Sequence, residues 1–142
     1  MNAYRELRDR HQKEINDLPL EFAFSDKQFA NGMANLGLTP DDTDKIYSLS
    51  GTGGFYRRSD AELIRETFYR LAEESQAAVD ADTTGDGYIY QMFCYELANH
   101  EYGYTRDITS TLEALDLTME DIEKSKPLTN GLKKAIAHVT GG

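Results

Sequence analysis

Tryptophan is absent from this chain of 142 residues, cysteine occurs once and proline three times. A lone cysteine, Cys94, rules out an internal disulfide and gives no sign of an oxidising compartment. No apolar run approaches the length needed to cross a membrane. The start, Met1-Asn2-Ala3-Tyr4-Arg5-Glu6, is charged and lacks the apolar core of a signal peptide. These absences predict a cytoplasmic protein. Positive charge is scarce as well. The 15 Lys and Arg face 25 Asp and Glu, for a net charge of −10.

That charge is uneven. Residues 1–20 are neutral, residues 21–60 carry −2, residues 61–125 carry −11 and residues 126–142 carry +3. Phosphate contacts need a positive footprint, so direct nucleic-acid binding is disfavoured. A basic protein, or a basic groove that ordinarily holds nucleic acid, is the better complement. The plainer alternative is that the charge serves solubility. With 39% hydrophobic and 11% aromatic residues the chain can bury a core, and its length suits one domain, 1–142, with 139–142 a frayed tail.

Tyr4, Leu7, His11, Ile15 and Leu18 recur at helical spacing up to Pro19. Phe22-Ala23-Phe24 reads as an edge strand, and Ser25 with Gln28 as a capping box opening a helix that ends at Gly37. Thr39-Pro40-Asp41-Asp42 has the same grammar and predicts another helix start. The stretch Leu36–Asp42 echoes Leu115–Asp121, a likeness that shared capping explains as well as duplication does. β-prone runs on either side of Ser50-Gly51-Thr52-Gly53-Gly54 predict a hairpin, and no lysine follows to make a phosphate loop. Ser59 with Glu62 caps a helix carrying Leu63, Ile64, Phe68 and Leu71 inward. Further helices are expected over 89–101, 109–115, 119–124 and 127–139, with an extended segment starting at Tyr102-Gly103-Tyr104. The fold class is α+β, mostly helical, with a small antiparallel hairpin or sheet around residues 45–58.

Two constellations carry candidate chemistry. Asp82-Thr83-Thr84-Gly85-Asp86-Gly87 resembles a calcium loop, with Asp82, Thr84 and Asp86 at the first three ligand positions. Its twelfth position is Phe93, or Gln91 if the count starts at Asp80, so the closing carboxylate is missing in either register. Ca2+ would bind weakly there; the alternative is a turn whose side chains cap the next helix. On that helix Ile89, Met92, Phe93 and Leu97 form an apolar stripe with Glu96 and His100 inside it. The pair reads as an acid–base or metal pair, or as a buried contact that fixes packing. No nucleophile with an adjacent base is identifiable, which leans against an enzyme.

The segments Phe22–Phe29, Leu36–Asp42, Gly51–Tyr56, Thr84–Gly87 and Tyr95–Glu101 carry a resemblance over nearly the whole length. The chain resembles a family of small uncharacterised bacterial proteins of about 140 residues, found in gut bacteria and near mobile elements, with no established activity. No site residue follows from it. The context implied is that of small acidic proteins that bind and block a host defence protein, anti-CRISPR proteins among them. On this reading Glu73, Glu74, Asp80, Asp82 and Asp86, with exposed Tyr69, Tyr88 and Tyr95, meet a basic partner such as a nuclease, without nucleic acid or membrane. The rival expectation is a calcium or transition-metal module using Asp82, Thr84, Asp86, Glu96 and His100.

Overall fold

The computed structural model describes residues 2–141. The fold is mostly helical α+β, with eight α-helices and one three-stranded antiparallel sheet among the described residues. In chain order these are α1 (Ala3–Asn16), β1 (Leu20–Phe22), α2 (Asp26–Asn35), β2 (Ile46–Leu49), β3 (Gly54–Arg57), α3 (Ala61–Ala81), α4 (Tyr88–Asn99), α5 (Tyr102–Thr105), α6 (Thr109–Ala114), α7 (Met119–Glu123) and α8 (Lys126–Val139). They form two compact units, Met1–Arg10 with Glu74–Gly142, and His11–Glu73. No described helix is long and apolar enough to cross a membrane.

The His11–Glu73 unit is built on the hairpin that the glycine run predicts. β2 and β3 pair antiparallel, and β1 joins the other side of β3. Period-two alternation puts Ile46 and Phe55 on one face, where they meet Met33 and Leu36 of α2. Ser25 caps α2, accepting the amide of Gln28 at 3.2 Å, while Gln28 reaches back to the amide of Phe24 at 2.7 Å. The cap at Thr39 opens no α-helix. Thr39 bonds Asp42 through its amide at 2.8 Å and its hydroxyl at 3.1 Å, as a helix start would. Only a 3-10 turn at Thr43–Lys45 separates this from Ile46, which must enter the sheet. Core packing overrides the local signal.

The other unit centres on α4, which packs along α8. Ile89, Met92, Phe93 and Leu97 are buried against Leu112 of α6, Ile122 of α7 and Leu128, Leu132 and Ala135 of α8. Burying each large side chain is worth about 1.5–3 kcal/mol, so this cluster is the main source of stability here. Tyr102–Thr105 is a turn of helix, not an extended segment, held between left-handed Glu101 (φ 58°) and Arg106 (φ 57°). The expected tail at 139–142 starts within bonded structure. Thr140 bonds Ile136 O through its amide at 3.0 Å and its hydroxyl at 2.7 Å, and Gly142 lies outside the described residues.

The echo between Leu36–Asp42 and Leu115–Asp121 has a structural counterpart. Each begins where a helix ends in a left-handed residue, Gly37 (φ 75°) and Asp116 (φ 54°). The next leucine donates five residues back, Leu38 to Met33 O at 2.8 Å and Leu117 to Leu112 O at 2.9 Å. Thr118 then opens α7 with a full capping box to Asp121. One helix-stop, Thr-cap sequence is used twice, with different continuations.

Gly131 lets α8 lie against the start of α4. A Cβ there would meet Ile89 Cγ2 at 2.5 Å and Gly85 O at 2.8 Å. Gly131→Ala is expected to destabilise the protein by about 1–3 kcal/mol, measured by urea unfolding, although alanine is the better helix former.

Candidate functional site

Sequence places the acidic glycine loop directly before α4, and the structure shows how it is used. The Asp82 carboxylate accepts the amides of Gly85 at 2.9 Å, Gly87 at 3.1 Å and Ile89 at 3.0 Å. Ile89 is the second residue of α4, so Asp82 caps that helix from outside it. Burial opposes ionisation of Asp82, but the amides of Ile89, Gly85 and Gly87 outweigh it and hold its carboxyl below the ordinary value. Thr84 accepts the amide of Asp86 at 3.2 Å. Asp86 takes Lys134 Nζ at 2.8 Å and Asn130 Nδ2 at 3.1 Å, and it raises the Lys134 ammonium above its usual value. Gly85 (φ 87°) sits against the carbonyl of Pro127, where no side chain fits. The loop clasps the start of α8 to the start of α4.

Two turns further along α4, Glu96 is 5% exposed. Tyr4 of α1 donates its hydroxyl to Oε1 at 2.8 Å. Arg8 Nε lies 4.0 Å from the same oxygen, and His100 Nε2 lies 3.4 Å from Oε2. The Tyr4 ring packs edge-on to Tyr88 and tilted against Tyr95, both at 5.6 Å between centroids. The Arg8 guanidinium covers Tyr95 at 4.9 Å. Gln91 of α4 accepts the amide of Ala3 at 2.8 Å, tying down the first turn of α1. Burial, then the bond to Glu96, pushes the Tyr4 phenol well above its ordinary value.

The candidate residues thus fall into separate places. Asp82, Thr84 and Asp86 share the loop, whereas Glu96 lies seven residues beyond Ile89, roughly 10 Å along the helix axis at 1.5 Å per residue. Glu96 and His100 do meet, as their i,i+4 spacing implies. Tyr4 and Arg8 complete that contact and have no local signal, being some ninety residues away in sequence. Tyr88 and Tyr95, expected to be exposed, are half-buried because they wall the Tyr4 ring. Tyr69 is 67% exposed. Of the five acids expected to face a partner, Glu74 pairs with Arg10 at 3.0 Å, and Asp82 and Asp86 are committed as above. Glu73 and Asp80 are exposed.

Residues 3–138 match DUF7659, a family of unknown function. The chain belongs to this family. No curated protein and no solved structure matches it. The DUF7659 match takes in the Asp82 loop, the Glu96 contact and the whole stretch from Glu101 to Glu123. In that stretch Glu101, Asp107, Glu113, Asp116, Glu120, Asp121 and Glu123 are all exposed, and Arg106 is the one base.

Two outcomes follow from this geometry. Asp82→Asn removes an ionised acceptor of three amides and is expected to cost about 1–2 kcal/mol by urea unfolding near neutral pH. Because the folded carboxyl is held below the ordinary value of 3.8, the charge-linked part of this stability is present above that pH. It is lost as pH falls through the lowered value, so mutant and parent should converge in acid. Tyr4→Phe leaves Glu96 short of a donor and should cost about 1–3 kcal/mol. A phenol raised above 10.0 stabilises the fold below that pH, and the benefit fades as pH rises further. Alkaline unfolding of Tyr4→Phe should therefore be less steep than that of the parent.

Proposed function

We propose that this protein is a non-enzymatic, cytoplasmic binding module that presents an acidic surface to a basic protein. One observation carries the reading: seven exposed acids with a single base over residues 101–123. Charges left in water steer association and select partners of opposite sign more than buried ones do, and although Glu120 pairs with Lys124 at 2.7 Å, both ends of that pair are exposed. The surface therefore lies on α5, α6 and α7, and not on the Asp82–Asp86 loop, whose acids hold helices together. A basic groove built for nucleic acid is the natural complement, so the partner class is a nucleic-acid-handling protein. Inhibition of such a protein in a host defence system is the specific role this reading assigns.

Affinity capture from a bacterial lysate at low and high salt tests it, with a companion variant carrying Asn or Gln at the seven acids. The expected result is one or a few basic nucleic-acid-binding proteins, released by high salt and reduced at least about tenfold by neutralisation. Capture that ignores both salt and neutralisation would discard the electrostatic mechanism.

A further inference from the structure

A cleft of about 510 Å³ opens between the start of α1, the middle of α4, the α5 turn and the end of α8. It does not include Glu96, but it shares Tyr95 and Gln91 with the surroundings of that contact and Glu101 with the acidic surface proposed above. Its size falls in the range of small-molecule sites. Tyr95, Ala98 and Val139 give it apolar walls, and Tyr104 stands beside it.

Three features of this cleft are not accounted for by packing. Tyr104 is 92% exposed, the most exposed of the large hydrophobic side chains among the described residues. It is carried on a four-residue turn bracketed by Glu101 and Arg106, both left-handed and neither glycine. Such residues cost roughly 1 kcal/mol each and gather where a side chain must be presented. Third, Arg5 lines the cleft without an ion pair among the described residues, although the chain carries a charge of −10. Arg8 and Arg10 on the same helix both have carboxylate partners. Arg5 has only the Tyr95 ring, at 5.9 Å.

The charges lining the cleft are of both signs. Arg5, on the first turns of α1, offers a guanidinium suited to a carboxylate. Glu101 is the one acid in the lining and suits an amine. The helix ends that frame the cleft, the start of α1 and the end of α8, have the same polarities as Arg5 and Glu101 respectively. A simple anion would meet the repulsive field of the whole chain, while a ligand with both charges and no net charge would not. Tyr104 offers an exposed ring face, and Tyr95, already covered by Arg8, stands as wall beside it.

We propose that this cleft binds a small zwitterion bearing a ring, of the class of a free aromatic amino acid. Its carboxylate meets Arg5, its ammonium meets Glu101 and its ring rests on Tyr104, with Tyr95 as wall. The neutral thiol of Cys94, pushed up by burial, contributes wall and not nucleophile.

The test is amide chemical-shift mapping on the full chain with L-phenylalanine. Phenethylamine lacks the acid, 3-phenylpropionate lacks the amine and glycine lacks the ring. A ligand of this size should saturate shifts at Cys94, Ala98 and Gly103 at roughly millimolar concentration. Each one-ended analogue and glycine should bind at least about tenfold more weakly, one unmade charged contact or the lost ring surface being worth a factor of that order. Arg5→Gln should make phenylalanine bind no better than phenethylamine, and Glu101→Gln no better than 3-phenylpropionate. Both positions are exposed, so their urea midpoints should match the parent and exclude misfolding. Absence of saturable shifts at the cleft, or equal binding of phenylalanine and either one-ended analogue, overturns the proposal.

Discussion

The hydrogen bond from the Tyr4 hydroxyl to the Glu96 carboxylate decides how the first helix is held to α4. A carboxylate this deeply buried is costly unless each oxygen finds a partner. Tyr4 and Arg8 serve one oxygen and His100 the other. The same requirement orders the side chains around it. Tyr4 must reach inward, so Tyr88 and Tyr95 close on either side of its ring, and Arg8 lies over Tyr95. Gln91, one turn before Tyr95, then holds the opening amide of α1. Removing one partner strands the others, which is how a polar contact inside an apolar stripe specifies a single arrangement.

The Asp82 loop meets a different requirement with similar means. A helix start leaves amides without partners, and the cap position of α4 is Gly87, which has no side chain to offer them. Asp82 supplies the acceptor from five residues upstream. Asp86 faces the other way and takes Lys134 and Asn130, so α4 and α8 share a clasp at the end where their cores begin. An aspartate–glycine sequence suits both this and a cation loop, because both need a sharp turn with oxygens pointing inward. In this loop the Asp82 oxygens take the amides of Gly85, Gly87 and Ile89.

These commitments change what the acidic composition means. Charge counted along the sequence points to 61–125 as one block. In the folded chain several of those acids are structural: Asp82 caps, Asp86 and Glu74 pair, and Glu96 is buried. The exposed excess is concentrated further along, from Glu101 to Glu123, where Glu120 pairs with Lys124 and Asp107 and Asp121 cap local turns without leaving the surface.

Much of the architecture was readable without coordinates, because it rests on local chemistry. The caps at Ser25 and Thr118, the helix stop at Gly37, the glycine-rich hairpin and the apolar stripe of α4 each act within a few residues. The meeting of Glu96 with His100 was readable for the same reason, at one helical turn. At Thr39-Pro40-Asp41-Asp42 and Tyr102-Gly103-Tyr104 the local signal is outranked by neighbours in space. Ile46 must enter a sheet, and two left-handed residues bend Tyr102–Thr105 into a turn. The sequence alone determined composition, charge and the periodicities that set helix against strand. Only the tertiary structure decided which acids are free and which are bound, because Tyr4, Arg8, Asn130 and Lys134 come from distant positions and no local rule brings them there.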